Sequence, residues 1–154
     1  MNYLGVDFGT KRVGLSIYSD DVKIILPLPA ILTEDDDKKF EEILQIVKLE
    51  KISVIVVGYP INMDGTIGDK AKATEIFIEK LGKKLGNDIE IFKMDERLTS
   101  EEAIGYDNKF YGRRSPTKKV KRRKSGVVDS QSAMIILRDF LFENGIADYF
   151  EYGF

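Results

Sequence analysis

The chain has 154 residues, the size of one domain with a full core, with 43% hydrophobic and 32% charged content. It contains neither Cys nor His, which excludes disulfides, thiolate nucleophiles, Cys-based zinc sites and the usual imidazole base. A formal net charge of −2 argues against nucleic acid on average, yet the segment from Lys109 to Lys124 holds nine Lys or Arg and no Asp or Glu.

The first residues enter an alternating apolar pattern at once, and no apolar run has the length of a membrane span. No signal peptide and no membrane partner are therefore expected, and the expected compartment is cytoplasmic. Residues 2–8 and 13–19 read as two strands joined by Gly9-Thr10-Lys11-Arg12. A third strand fits Lys23 to Leu28, closed by Pro27 and Pro29. The acidic cluster Glu34-Asp35-Asp36-Asp37 then suits a helix start, with Phe40, Ile43, Leu44 and Val47 at helical spacing behind it. Ser53 to Val57 is apolar on both faces, the mark of a buried central strand, and Gly58-Tyr59-Pro60 closes it.

A second helix fits residues 69–85, with Ala73, Phe77, Leu81 and Leu85 along one side and Gly86-Asn87 as its stop. Ile89 to Met94 makes a fifth strand, and a short helix is expected from Thr99 or Ser100. Residues 107–127 read as a basic loop. The last helix runs from Asp129 to Glu143, with Ala133, Ile136, Leu137 and Phe140 facing the core. The tail Tyr149 to Phe154 leaves two options open, folding back on the core or facing a partner. The whole chain reads as one α/β domain: a five-stranded mixed sheet, antiparallel in its first three strands, with helices on both faces.

In such sheets ligands gather at the carboxyl ends of the strands. Asp7 falls near that end of strand one, Gly58 at the end of strand four, and Glu96 just past strand five. Asp7 shares a strand face with Tyr3 and Gly5, while Leu4, Val6 and Phe8 point the other way. A carboxylate there is costly unless it is paired or binds a cation; the alternative is an ion pair with Lys11 or Arg12. Thr10 and Lys11 are placed to contact a phosphate after the close backbone turn at Gly9. Glu96 lies in Asp95-Glu96-Arg97, where a surface charge cluster is the bland reading; Arg97 either orients Glu96 or grips phosphate. Asp129 opens the last helix, where a simple N-cap is the alternative. Asn62, in the loop after Pro60, is a further candidate phosphate contact. Lys118, Lys119, Lys121, Arg122, Arg123 and Lys124 could bring a phosphate backbone to the acids. With no His or Cys, the fitting cation is one held by oxygens, Mg²⁺ or Mn²⁺.

Four motifs in order, Gly5-Val6-Asp7-Phe8-Gly9-Thr10-Lys11-Arg12-Val13-Gly14, Gly58-Tyr59-Pro60-Ile61-Asn62-Met63-Asp64-Gly65, Asp95-Glu96-Arg97-Leu98-Thr99-Ser100 and Val128-Asp129-Ser130-Gln131-Ser132-Ala133, together resemble the bacterial YqgF family. The resemblance spans essentially the whole chain. It implies a ribonuclease H-like fold and a nuclease that processes the 5′ end of pre-16S ribosomal RNA, in a family also described as Holliday-junction-resolvase-like. It places Asp7, Glu96 and Asp129 at the positions of the acidic triad, with Asp7 bridging two metal ions roughly 4 Å apart. It further implies nucleic acid as partner, RNA ahead of branched DNA, and a place near pre-ribosomal particles; monomer and homodimer both stay open. Two departures are Ser132, where the family more often has Ala, and the strongly basic loop. Two rivals remain at this stage. One is an ATP-binding protein of the actin and hexokinase type, which shares the Asp-x-Gly-Thr turn but needs a second domain. The other is a nucleic-acid-binding module with structural acids only.

Overall fold

The structure, a computed structural model, describes residues 1–96, 127–146 and 151–152. Its elements in chain order are β1 (Asn2–Phe8), β2 (Arg12–Ser19), β3 (Ile24–Leu32), α1 (Asp36–Leu49), β4 (Ile52–Pro60), α2 (Asp69–Leu85), β5 (Glu90–Glu96), α3 (Val127–Glu143) and β6 (Glu151–Tyr152). They build one sheet in the order β5-β4-β1-β2-β3-β6. The β1–β2–β3 meander is antiparallel, and β4 and β5 join β1 in parallel through helical crossovers. The expected five-stranded mixed core is therefore present. The tail adds a sixth strand of two residues, paired parallel with Ile24 and Ile25.

The period-two pattern sorts β1 as expected. Leu4, Val6 and Phe8 enter the core under α1 and α2, while Tyr3 enters a separate core with Met134, Leu137 and Phe140 of α3. Asp35 caps α1 by accepting from the amides of Asp37 and Lys38, and Asp36 and Asp37 sit in its positive first turn. On α2, Ala71, Thr74, Phe77 and Leu81 are buried, with Ala73 and Leu85 packed at the rim. Gly86 ends it with a positive φ of 76° and ψ −160°, a backbone conformation that glycine alone adopts readily.

Several boundaries differ from the sequence expectation. β3 does not close at Leu28 but continues to Leu32, through Pro29. The register shifts where Val13 pairs Ile31 and Leu15 pairs Leu28, so Pro29 and Ala30 share a bulge opposite Gly14. A bulge residue needs no ladder N–H, which is why proline does not end the strand. β4 likewise runs through Gly58, Tyr59 and Pro60, because these pair Met94, Asp95 and Glu96. Glu96 is accordingly the last residue of β5 rather than a residue beyond it. α3 starts at Val127, so Asp129 lies within its first turn instead of heading it. The expected helix from Thr99 or Ser100 lies outside the described residues, as does the basic loop expected over 107–127 except for Val127, which opens α3 instead.

Candidate active site

Asp7 and Glu96 reach the same edge and the same face of the sheet. Val6 pairs Val57, which puts Asp7 level with Gly58; Gly58 pairs Met94, and Glu96 follows two residues later on the same side as Met94. Gly58, on the strand between the two acids, carries no side chain to separate them. Its space is taken by α3: a Cβ on Gly58 would lie 2.5 Å from Ile136 Cδ1 and 3.9 Å from Glu96 Cγ. Gly5 has the same function one turn deeper, since a Cβ there would lie 2.6 Å from the Ala133 carbonyl oxygen and 2.7 Å from Leu137 Cγ. Ser16, opposite Gly5 on β2, donates its hydroxyl to that carbonyl at 2.7 Å. Ser130 does the converse, donating from α3 to the Leu28 carbonyl at 2.5 Å. Two bare glycines and two buried hydroxyls thus dock the last helix close over the acid edge.

Glu96 is half-buried, and its Oε1 is shut away from solvent without a hydrogen-bond partner among the described residues. Its carboxyl is pushed up to about 8, first by burial, then by the charge of Asp139 and a hydrogen bond with it, and also by Asp7; the Arg138 guanidinium opposes the rise. Asp139 was not singled out in the sequence. In the chain it reads as half of a local pair with Arg138, whose Nε donates to it at 2.9 Å. The signal available was its place three residues after Ile136, the side chain that covers Gly58 beside Glu96. Asp7 is half-buried and has further interactions in the fold. Asp129 occupies the first turn of α3, one turn before Ala133; its side chain lies outside the described residues. Among the described residues no three acidic side chains converge as a ready-made metal cage.

The other expected contacts divide in the same way. Thr10, Lys11 and Arg12 are exposed in the turn that follows Asp7. That turn is held from beneath: Thr33 N–H donates to the Lys11 carbonyl at 3.1 Å, and Lys39 Nζ donates to the Thr10 carbonyl at 2.5 Å. Asn62 is brought to the edge by the bond from Ile61 N–H to the Glu96 carbonyl, 2.9 Å. Its side-chain amide donates to Thr66 Oγ1 at 3.0 Å, and the Thr66 hydroxyl donates to Asp64 at 2.6 Å, so the loop is internally braced. Arg97, Lys118, Lys119, Lys121, Arg122, Arg123 and Lys124 lie outside the described residues.

The donor chemistry suits a hard divalent cation. Carboxylate oxygens are the ligands such ions take, and a cation beside Glu96 would stabilise the charged form that burial and neighbouring acids now disfavour. The partnerless Oε1 has the acceptor capacity for it.

The sequence profile of the family described as "RuvX: Holliday junction resolvase" matches residues 1–143. A protein of Opitutus terrae is 39% identical over 141 residues, covering 92% of this chain and 91% of its own. One of Sulfurihydrogenibium sp. is 35% identical over 150 residues, covering 95% and 96%. Both bear the name "Putative pre-16S rRNA nuclease". Among solved structures, the fowlpox virus Holliday junction resolvase superposes with a TM-score of 0.60 at 10% identity, covering 94% of this chain and 99% of its own. Thermus thermophilus RuvC gives 0.55 at 15% identity, covering 94% and 97%. At such identities the likeness speaks to the fold, which is ribonuclease H-like.

Proposed function

Because this chain belongs to the RuvX family, we propose that it is a metal-dependent endonuclease that hydrolyses phosphodiester bonds of pre-16S ribosomal RNA, at its 5′ end, with Asp7, Glu96 and Asp129 as its acids. The observation that carries the reading is the pairing of Asp7 and Glu96 on one face of one sheet edge, across the bare Gly58, with a buried Glu96 oxygen left unpartnered. The names borne by relatives above 30% identity over nine-tenths of their length support the RNA substrate.

Asp7, Glu96 and Asp129 would hold Mg²⁺ or Mn²⁺. Such an ion supplies Lewis acidity to the phosphoryl oxygens and acidifies water, which a chain without His has no imidazole to do. The protein's own residues then have separable tasks. Glu96 would be the acid most changed by such an ion, since burial and the neighbouring Asp139 favour its neutral carboxyl and a bound cation would favour the carboxylate. Thr10, Lys11, Arg12 and Asn62 stand at the same edge to orient the phosphate next to Asp7. Arg97 and the basic run of Lys119, Lys121, Arg122, Arg123 and Lys124 would supply the charge that neutralises backbone phosphates. None of these groups reads a base, so selection would come from RNA shape or from a pre-ribosomal particle. The site fits a monomer or a homodimer of a cytoplasmic protein.

The second reading is a Holliday-junction resolvase using the same acids, and the description of the matched family favours it. The purified protein and its Asp7→Asn variant, given matched single-stranded RNA and four-way DNA junctions with Mn²⁺ or EDTA, separate the two. RNA cleavage that needs Mn²⁺ and vanishes in the variant is the expected result. Junction cleavage alone would move the assignment to resolvase. Binding without cleavage of either would leave a non-catalytic module.

A further inference from the structure

Lys39 is buried to 1% exposure, which no other lysine among the described residues approaches. Among the described residues three groups engage its ammonium. It donates to the Thr10 carbonyl at 2.5 Å, pairs with Asp36 at 3.1 Å, and lies 5.2 Å from the centre of the Phe8 ring. Phe8 and Thr10 flank Gly9, so one side chain of α1 grips both sides of the glycine that opens the turn after β1. Gly9 itself has no latitude for a larger residue, since a Cβ would lie 2.7 Å from the Arg12 carbonyl oxygen.

Stability does not explain a charge in this place. Desolvating an ammonium is expensive, and its Asp36 partner is largely exposed, where solvent weakens the attraction that would offset that cost. What the ammonium offers over a methyl group is direction. The peptide bonds of the described chain are all trans, and in a trans peptide the C=O and the following N–H point opposite ways. Drawing the Thr10 carbonyl inward onto Lys39 therefore turns the Lys11 N–H outward, at an exposed residue of the acid edge.

We propose that Lys39 is a positioning residue that fixes the Thr10–Lys11 peptide so that the Lys11 amide donates to a phosphate oxygen beside Asp7. The phosphate ligand rests on the nuclease reading; the fixing of the turn does not. An uncharged amide donor adds affinity without releasing counterions, whereas each cationic side chain on the backbone adds about 0.7 to the salt slope on a single strand. That difference separates a positioning role from a merely electrostatic one.

The test uses full-length protein and Lys39→Met. The melting temperature should hold or rise, and amide exchange should quicken about tenfold at Thr33 only, whose N–H closes the turn on the Lys11 carbonyl and so reports on whether the turn is held, the scale of one lost charged hydrogen bond. Affinity for a single-stranded RNA, read with Mn²⁺ absent, should fall about tenfold at an unchanged salt slope. Because the chain has no Cys, Lys39→Cys can be aminoethylated to rebuild the side chain. Thr33 exchange should be fast before that treatment and slow after it, which decides the matter even where Lys39→Met does not fold. Unchanged exchange at Thr33 would overturn the proposal, as would faster exchange throughout the chain with a lower melting temperature. A reduced salt slope would make Lys39 a phosphate-neutralising charge instead. Should the wild-type protein bind no RNA, the nuclease reading falls, while exchange at Thr33 still decides the positioning role.

Discussion

On the face of the sheet under α1 and α2, Phe77 stacks between Phe8 and Phe40, with ring centres 4.3 and 5.3 Å away, and Leu4, Val6 and Leu15 complete the layer. On the face under α3, the corresponding depth is built from Gly5, Ser16 and Gly58, with hydroxyls bonded to carbonyls and acids at the rim. One face stacks large rings on one another, and its buried Lys39 and Thr74 bond to carbonyls at its margin. The other brings a helix close enough to a strand edge that backbone, hydroxyl and carboxylate settle its geometry. Both faces carry a hydrophobic core, but the acids stand on the α3 face alone, so substitutions on the two sides of the same five strands should fail differently.

The sharpest separation comes from Asp7→Asn. It should reduce cleavage on the order of ten-thousandfold or more, the scale seen when one member of a concerted catalytic set is removed, with the melting temperature near that of the wild type. Full activity in a folded Asp7→Asn protein would end the assignment of the α3 face to catalysis. Phe77→Ala is the mirror experiment. Removing the central ring of the stack should cost about 3–5 kcal/mol in urea unfolding, a large share of the roughly 5–15 kcal/mol available to a domain. Nucleic-acid affinity per folded molecule should stay as it was. A specific loss of binding at full folding would break the division between the faces.

Much of this division was legible in the sequence, since period two in β1 separates Tyr3, Gly5 and Asp7 from Leu4, Val6 and Phe8. The amphipathic spacing of α1 and α2 was equally plain. The ends of β3 and β4 were not, because prolines end strands only where a ladder N–H is needed. Whether Pro29 faces a bulge or Pro60 a partner is a property of pairing, not of the local sequence. Asp139 was hidden for a related reason: its closeness to Glu96 is made by the packing of α3 across the sheet. Lys39 could have been found, for it stands one turn before Ile43 and two before Val47, on the buried stripe of α1.

Gly58→Ala probes the join between the two faces with a smaller effect. The added methyl meets the flexible end of Ile136 rather than backbone, so the stability cost should be about 1–3 kcal/mol. Activity should fall further than stability, because Ile136 is displaced beside Glu96. Adding Ile136→Val returns the space, and the double variant should recover most of both losses, a coupling that distant sites do not show. Additive losses in that cycle would mean that Gly58 has no part in holding the site open.

The smallest effect is that of pH, and its sign follows from Glu96. In the folded chain the carboxyl is raised from 4.5 to about 8, by burial first and by Asp139 next. Between those values the folded protein keeps a proton that the unfolded chain has released, so stability falls as pH rises through the window. The side chain is only part-buried, which limits the change in melting temperature between pH 5 and 8.5 in EDTA to the order of a few degrees. Glu96→Gln should flatten the slope, since an amide has no proton to lose. Mn²⁺ should flatten it too in the wild-type protein, by favouring the charged carboxylate. A slope that persists in Glu96→Gln belongs to another group. A slope lost in the variant but indifferent to Mn²⁺ would leave Glu96 a buried acid of the α3 face that no cation reaches, and would return the comparison of the two faces to packing alone.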